Sequence, residues 1–406
     1  MQTRKIKGLE IASRSQITPN GKVWIVPSQS SSKTYSVDLS RQTCTCLDFE
    51  TNRLKCKHIY AAENVLRRES GEPLPTPPKV TRRTYPQQWP AYNKAQTNEK
   101  AKLQELLYEL TKDIEDLPRK PGAGRSRLRL REMIFCAVFK VYSLVSGRRF
   151  ISDLKEAQRC GYITRTPHFN TIFNYLELEE MTECLSSLIS LSSLPLKALE
   201  QDFAVDSSGF STGIATRWFR AKYTDDAEMT MIGWLKVHIM TGVLTHVVTG
   251  VEVSERYSHD TLYFKPLVDA TAANFKMREV SADKAYSSVS NLHHVERRGA
   301  MPYIPFMNHT TAHPRGDKTG VWYRLWHYYN FNQAEFMMHY HKRSNVETTF
   351  SMIKGKFGER LRSKTNTAQV NEVLCKILCH NLCCVIQSMY EFGIAPDFVR
   401  PSKAWY

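Results

Sequence analysis

The spacing of hydrophobic positions changes twice along this chain of 406 residues. Between Val23 and Asp48, short runs of alternating apolar and polar residues, bounded by Pro, Ser and Gly, predict small antiparallel strands, and a short helix is predicted from Cys56 to Glu69. From residue 98 to about 200, apolar residues recur every three or four positions, which predicts successive helices. From residue 201 onward the pattern predicts three strands, then helix, strand, helix, strand and helix. The chain is therefore expected to hold an α/β region behind a helical segment and a small strand-rich module.

A proline-rich stretch separates the first module from the rest. Six prolines lie in the segment from Pro73 to Pro90, too many for a helix or a central strand, and they indicate a stiff, extended linker. We predict five segments: an N-terminal module (1–72), a linker (73–97), a helical domain (98–200), an α/β domain (201–392) and a tail (393–406).

The net charge is +16, from 56 Lys and Arg against 40 Asp and Glu. The first 130 residues carry 24 basic and 13 acidic side chains, so +11 of this surplus is N-terminal. Such a surplus favours a polyanionic partner, either nucleic acid or an acidic membrane surface. Because no apolar run reaches the roughly 18 to 20 residues of a membrane span and the polar N-terminus has no signal-peptide core, a soluble intracellular protein is expected. The ten cysteines are then expected to be reduced thiols or metal ligands.

Two tight pairs of metal-binding side chains lie in CTCLDFETNRLKCKH: Cys44 with Cys46, and Cys56 with His58. Three thiolates and one imidazole form a closed tetrahedral set, which suits one structural zinc ion and leaves no position open for a substrate. Cysteines that merely pack in a small core are the alternative. The pattern resembles the SWIM zinc finger, over about residues 30 to 70, a module associated with binding DNA or protein.

A second group of cysteines surrounds His380 near the C-terminus. Cys375, Cys379 and Cys383 fall along one stripe of a predicted helix, as small core residues do. We therefore interpret this group, which also includes Cys384, as part of a core, with metal binding as the alternative.

The basic segment from His339 to Thr365 keeps one carboxylate, Glu347, among many Lys and Arg. At about 100° per residue, four side chains share an arc of roughly 60° on a continuous helix: Tyr340, Arg343, Glu347 and Lys354. An apolar stripe lies beside this arc and would seat the helix on a core; it comprises Val346, Phe350, Ile353 and Phe357. The arc therefore predicts a polar groove at the edge of a buried face, whereas a solvated ion pair between Arg343 and Glu347 is the alternative.

Two aspartates can complete a carboxylate site with Glu347. Asp206 stands where an apolar strand meets SSG, which is predicted to form a turn, and Asp283 stands where EVSA meets KAY. Three carboxylates at neighbouring strand ends would suit divalent metal, although a lone Asp at a strand end is also a common turn former. The remaining acidic candidates begin strands or lie in a polar connector, so their geometry is less defined: Asp202, Glu252, Glu255 and Asp260.

The spacing Tyr, two residues, Arg, three residues, Glu, six residues, Lys resembles the YREK signature of the DDE transposases of prokaryotic insertion sequences. Asp206 in VDSSGF and Asp283 in ADKAYSS match the first two acidic positions of that family. The resemblance covers residues 201 to about 390. It implies a ribonuclease-H-like mixed sheet, with the first Asp on the first strand, the second after the fourth strand and the Glu on a later helix.

By this resemblance the protein is expected to be a transposase that binds the terminal inverted repeats of an insertion sequence and catalyses DNA cleavage and strand transfer in cut-and-paste transposition. Asp206, Asp283 and Glu347 would hold two Mg²⁺ (or Mn²⁺) ions per active site. The implied DNA contacts are Tyr340, Arg343 and Lys354. The implied partners are double-stranded DNA, at element ends and target, and a second copy in a homodimer on DNA, with no membrane, in the cytoplasm and at the nucleoid of a prokaryotic cell. A DNA-binding regulator and a nuclease derived from a transposase are the alternatives.

Three further segments bear on DNA recognition. Residues 165–177 are predicted to form either the second half of a helix-turn-helix within the DNA-binding helical domain or a packed core helix. The Gly- and Arg-rich residues 119–132 are predicted to rest on phosphates. Some YREK-type relatives carry a β-rich insertion before the glutamate helix, whereas only the 33 residues 307–339 precede it here, which argues against a hairpin-forming step that needs such an insertion. Trp322 and Trp326 in this segment are expected to pack in a core in preference to stacking on a base.

Overall fold

The computed structural model describes residues 2–29, 33–71, 88–116, 127–212, 233–254, 258–307, 310–312 and 320–398. The chain forms two compact units, Met1–Pro86 and Gln87–Tyr406. Residues 73–87 of the predicted linker and 119–126 of the Gly- and Arg-rich connector lie outside the described residues, as does the end of the tail from residue 399.

The N-terminal unit is a small antiparallel sheet with helices packed on it. The strands lie in the order β1 (Thr18–Asn20), β2 (Val23–Pro27), β3 (Thr34–Asp38) and β4 (Thr43–Cys44). The helices are α1 (Gln2–Arg14), α2 (Leu47–Asn52) and α3 (Lys57–Glu69). The predicted strands and α3 are confirmed, but α1 and α2 were not predicted. Gly8 interrupts the helical pattern of α1 for a packing reason, because a Cβ there would lie 2.5 Å from the Tyr60 Cβ on α3.

The second unit begins with five helices and continues as an α/β fold. Its helices are α4 (Trp89–Thr111), α5 (Leu130–Ser143), α6 (Gly147–Arg159), α7 (Phe169–Leu176), α8 (Glu179–Ser193), α9 (Thr261–Ala272), α10 (Val289–Arg297), α11 (Val321–Phe331), α12 (Gln333–Tyr340), α13 (Ser344–Phe357) and α14 (Asn366–Glu391). Its strands are β5 (Asp202–Thr212), β6 (Trp234–Gly242), β7 (Val248–Ser254), β8 (Glu279–Ala282), β9 (Met301–Tyr303) and β10 (Arg360–Leu361). The predicted order of strands and helices is confirmed from β5 to β9; after β9, α11 and α12 precede the predicted basic helix, and β10 and α14 follow it.

These strands form one mixed sheet in the order β7-β6-β5-β8-β9, with β10 added beside β5. β5, β6 and β7 pair antiparallel, whereas β8 and β10 pair parallel to β5, and β9 pairs parallel to β8. The first predicted aspartate lies on the first strand of this sheet, the second follows the fourth strand and the glutamate lies on a later helix, so the expected mixed α/β fold class is confirmed.

Helices cover both faces of the sheet, because alternate residues of β5 enter different cores. Ala204 and Phe210 join the apolar side chains of α13 and α14, whereas Phe203 and Val205 join those of α9 and α10. The apolar stripe predicted on the basic helix is buried on the first of these cores.

The helices before residue 200 share this core with α13 and α14. The buried Glu99 on α4 accepts hydrogen bonds of 2.6 Å from Lys356 on α13 and of 2.8 Å from Tyr142 on α5. The proposed boundary at residue 200 therefore separates segments that pack as one unit. α4 also begins at Trp89, inside the predicted linker, because Pro90 occupies the first turn, where a missing N–H is tolerated.

Helix α14 is long and apolar enough by composition to cross a membrane, with an 18-residue window of mean hydropathy 1.4. Of this window, 78% is buried inside the protein, as in the central helix of a packed core. It is the one such helix among the described residues.

Candidate active site and metal centre

The candidate active site lies along an interrupted edge of β5. On this edge β8 pairs with residues 202–205 and β10 with residues 211–212. No described strand pairs with residues 206–210 on that side, and the polar side chains of α13 and of the turn before it approach β5 there.

Asp206 is the first residue of β5 beyond its pairing with β8. The prediction that a turn begins at SSG is wrong, because Ser207, Ser208 and Gly209 continue the strand by pairing with β6. Asp206 is therefore a mid-strand residue with a fixed backbone. One of its oxygens accepts the Ser207 N–H at 2.8 Å, and the other accepts from the Arg343 guanidinium at 2.8 Å.

Asp283 directly follows β8, as predicted. It caps the one-turn helix Lys284–Tyr286, and its carboxylate accepts the Lys284 N–H at 2.6 Å. Because β8 runs parallel to β5 and ends opposite Val205, Asp283 emerges beside Asp206 at the same edge. The turn-forming interpretation of Asp283 thus describes its local contact, and its position also brings it to the candidate site.

Glu347 lies in the first turn of α13 and is tied to Asp206 by one arginine. Arg343 donates from Nη1 to Asp206 at 2.8 Å and from Nη2 to Glu347 at 2.7 Å. The i,i+4 pair with Arg343 that was the alternative interpretation is thus present, but Arg343 also reaches β5. The Glu347 side chain is 56% exposed and the Asp206 side chain 22%, so the site is open on the helix side.

The charges of Glu347 and Asp283 both act on the carboxylate of Asp206. The pKa of Asp206 is raised, chiefly by burial, and the negative charges of Glu347 and Asp283 raise it further. The Ser207 N–H and the Arg343 charge oppose this shift. Such a cluster of like charges around the Asp206 carboxylate favours a cationic partner.

Tyr340 and Lys354 complete the polar side of this helix. The basic segment is not one continuous helix, because residues His341–Arg343 form a 3₁₀ turn between α12 and α13. The arc survives this break: Lys354 donates to the Ser208 hydroxyl at 2.9 Å, two residues beyond Asp206 on the same face of β5. The centroid of the Tyr340 ring lies 5.9 Å from the guanidinium carbon of Arg343, and burial raises the pKa of the Tyr340 hydroxyl.

Lys342 is a residue that sequence reasoning missed. It donates to Asp202 at 2.8 Å and to Glu279 at 2.6 Å, and so fastens the 3₁₀ turn to the starts of β5 and β8. Asp202 also accepts from Arg278 at 2.8 Å. Lys342 and Arg343 therefore hold the turn at two points on β5. The sequence shows only a run of basic residues, from which their different acidic partners cannot be predicted.

The other acidic candidates have different surroundings. Asp260 lies on the opposite face of β5, where it accepts from the Ser207 hydroxyl at 3.2 Å and pairs with Lys236. Burial raises the pKa of Glu252, and Glu255 lies outside the described residues.

The four predicted zinc ligands meet in the N-terminal unit. One ligand atom each from Cys44, Cys46, Cys56 and His58 lies within 4.8 Å of the others, and all four side chains are buried. His58 Nδ1 lies 3.9 Å from Cys44 Sγ and 4.0 Å from Cys56 Sγ. The sulfur-rich donor set fits zinc. Within the described part of the chain this is the one cluster of three or more such side chains close enough to share an ion.

The second Cys/His group is a core element, as interpreted. Cys375 and Cys379 are fully buried on α14, and the Nε2 atom of the buried His380 lies 2.9 Å from the His246 carbonyl oxygen. Trp322 is buried with its N–H on the Thr311 carbonyl at 3.0 Å, which confirms the expected core packing. In the segment 307–339, the described residues form α11 and α12 and no strand.

Helices α6 and α7 form a pair that fits the helix-turn-helix interpretation of residues 165–177, although one face of each helix is also packed in the core. Phe150 and Leu154 of α6 and Ile172 of α7 are buried on the shared core. Asn170 and Asn174 of α7 are exposed. Helix α7 ends at Leu176, and α8 begins separately at Glu179.

Comparison with known families agrees with this geometry. The family model for the transposase DDE domain matches residues 197–382, which include the three carboxylates, Arg343 and Lys354. The model for the SWIM zinc finger matches residues 23–66, which include the four zinc ligands. No curated protein and no solved structure matched the chain. Residues 197–382 therefore form a transposase DDE domain, and residues 23–66 form a SWIM zinc finger.

Proposed function

We propose that the protein is a cut-and-paste transposase that binds the terminal inverted repeats of an insertion sequence, cleaves the DNA strands there and joins them to target DNA. The observation that carries this proposal is the convergence of Asp206, Asp283 and Glu347 at the interrupted edge of β5, inside a transposase DDE domain.

The three carboxylates are proposed to hold two Mg²⁺ or Mn²⁺ ions. Their oxygen ligands suit such ions, which supply an activated water or 3′-hydroxyl and stabilise the leaving oxygen when bound. Asp206 and Asp283 each accept the backbone N–H of the next residue, whereas the Glu347 side chain is 56% exposed and pairs with Arg343.

Arg343, Lys354 and Tyr340 are proposed to hold the scissile strand. The guanidinium of Arg343 is planar and matches two phosphate oxygens, and Lys354 offers a point charge near Ser208. Because Arg343 bridges two of the acids, its release toward a phosphate would leave those carboxylates free for cations.

End recognition is proposed to use the first 200 residues, including α6 and α7, with Asn170 and Asn174 toward base edges, since Asn pairs with adenine in the major groove. The zinc finger is proposed to hold one structural zinc ion. A homodimer on DNA and a cytoplasmic location at the nucleoid of a prokaryotic cell belong to the same proposal.

The test uses purified full-length protein, Mg²⁺ and a DNA fragment that carries the inverted repeats flanking the coding region. Asp206→Ala, Asp283→Ala and Glu347→Ala are each expected to abolish cleavage and strand transfer but to leave end binding nearly unchanged. Glu183→Ala removes an exposed carboxylate of α8 and serves as the matched control. Substantial cleavage by one of the three variants would remove that residue from the site. Cleavage by the wild type without strand transfer would identify a nuclease, and specific binding without cleavage a regulator.

A further inference from the structure

A cavity of about 470 Å³ lies outside the carboxylate site, among α5, α6, α7 and the start of α14. Its volume is within the roughly 300 to 1,000 Å³ range of small-molecule sites. Most of its wall surface is apolar, with Phe173 of α7 and Phe357 of α13 as the aromatic members, although half of the lining residues are polar or charged. Neither the three carboxylates of the candidate active site nor the zinc ligands line it.

The cavity holds a buried lysine that pairs with none of the described carboxylates. Lys140 on α5 is only 8% exposed and lines the cavity wall. Its ammonium group lies over the ring of Phe150, 5.9 Å from Nζ to the centroid. Burial lowers the Lys140 pKa, the charge of Arg362 lowers it further, and the charge of Glu372 opposes both. A buried charge in this setting is costly unless it is paired.

Glu372 lines the same cavity but is already committed to other donors. Its carboxylate accepts the backbone N–H of Arg362 at 2.9 Å and that of Ser363 at 2.8 Å, and it pairs with Lys376 at 3.6 Å. Lys376 in turn donates to the Gly358 and Arg360 carbonyls. Glu372 is therefore bound by Lys376 and by two backbone N–H groups, and it forms no ion pair with Lys140. Lys140 remains available to an anion that enters the cavity.

A helix N-terminus opens on the same space. Ser146 and Gly147, at the start of the 13-residue helix α6, line the cavity, and the Ser146 side chain makes no capping hydrogen bond. Free N–H groups at such an end favour a phosphate. Gly147 has a packing role here, because a Cβ would lie 3.0 Å from the Phe173 ring. Lys364 and Arg362 add positive charge to the rim.

We propose that this cavity binds a nucleoside monophosphate, with its phosphate on Lys140 and the start of α6 and its base between the apolar walls that include Phe173 and Phe357. The ligand can come from two sources, a free nucleotide or an unstacked nucleotide of bound DNA. The second source rests on the proposed function. It fits the fact that Phe173 lies on α7, the helix proposed to contact DNA, and that Glu177 caps the C-terminal end of this helix.

The first arm of the test titrates the full-length protein with dAMP, by calorimetry and without DNA. Saturable binding is expected, with deoxyadenosine and the Lys140→Met variant each at least about tenfold weaker, because a charge-assisted contact is lost. Lys276→Met removes an exposed lysine away from the cavity and is expected to bind as the wild type does. Lys140→Arg keeps the charge and shows whether charge or packing is responsible, with binding expected within about tenfold of wild type. Equal binding of dAMP by Lys140→Met overturns the proposal.

The second arm places 2-aminopurine in an end duplex and follows its fluorescence, which rises when the base leaves the stack. A rise that Lys140→Met abolishes, without loss of duplex binding, assigns the site to a nucleotide of DNA even where dAMP does not bind. Absence of both dAMP binding and a Lys140-dependent fluorescence rise overturns the proposal. Cleavage by the wild type is measured in parallel, so that failure of the proposed function is recognised separately from failure of this site.

Discussion

Arg343→Ala is the most informative change at the carboxylate site, because one guanidinium contacts two of the three acids. Its side chain is 20% exposed, and it donates to Asp206 at 2.8 Å and to Glu347 at 2.7 Å. We expect the variant to bind end DNA but to cleave it about ten to a thousand times more slowly.

The magnitude follows from the two contacts. The partly buried bond to Asp206 is charge-assisted and is worth about 1.5 to 3 kcal/mol, whereas the bond to the more exposed Glu347 is screened and is worth about 0.2 to 1 kcal/mol. If Arg343 transfers this capacity to a phosphate in the transition state, the lost stabilisation of about 1.5 to 4 kcal/mol corresponds to a rate loss of about ten- to a thousandfold. Arg343→Lys is expected to rescue only partly, because it keeps the charge but not the planar fork.

Two assays separate this role from metal binding. Titration with Ca²⁺ or Mn²⁺ is expected to show unchanged or tighter binding, since the variant lacks a cation that competes for Asp206 and Glu347. The pH profile of cleavage is expected to shift as well: Arg343 opposes the raised pKa of Asp206, so its removal raises that pKa further and moves the acid limb to higher pH. Metal binding weakened as much as in Glu347→Ala, or cleavage at the wild-type rate, would refute the reasoning.

Three other predictions concern the rest of the molecule. The purified protein is expected to contain one zinc ion per chain by elemental analysis, and His58→Ala is expected to lose it and to unfold the N-terminal unit while the second unit keeps its melting transition; a full zinc content in that variant would exclude His58 as a ligand. Replacing both Asn170 and Asn174 with Ala is expected to weaken binding to element ends by about 1 to 3 kcal/mol per lost base contact. Removing residues 1–86, in contrast, leaves the core of the second unit intact. Equal affinity of the wild type for end DNA and random DNA would exclude base reading by α7. Burial lowers the pKa of His238 and of His380 to about 4 from 6.5, so the unfolded state binds their protons first and the melting temperature of the second unit is expected to fall as pH drops from about 6.5 to about 4; a flat profile over this window, or one unchanged in His380→Asn, would contradict it.

The structure also changes one experiment that sequence alone would suggest. Removal of the first 200 residues is the direct test of an N-terminal DNA-binding region, but α4, α5 and α8 share a core with α13 and α14. Such a truncation exposes that core and tests folding instead of binding. The boundary between the two compact units, after Pro86, is the place where a deletion is interpretable.

Local patterns in the sequence were sufficient for the parts that depend on short separations. The spacing of Cys44, Cys46, Cys56 and His58 identifies a closed ligand set, because paired ligands on either side of a loop need little else from the fold. The strand and helix order from β5 to β9 follows from periodicity. Arg343 and Lys354 both contact β5, as their spacing predicts, although the helix is broken at His341–Arg343.

Tertiary structure alone decided what each charge touches. Sequence treats Lys342 and Arg343 as one basic run, yet they reach different acids, Asp202 and Asp206, because both lie on β5 about 140 residues earlier in the chain. The same holds for Asp206 itself, which local sequence presents as a strand end: pairing with β6 continues past it while pairing with β8 stops. The burial of Lys140 without an ion pair to a described carboxylate is likewise not encoded in a helical pattern, since it depends on which distant side chains surround it. Contacts of this kind form only when the chain has closed on itself, so no local periodicity encodes them.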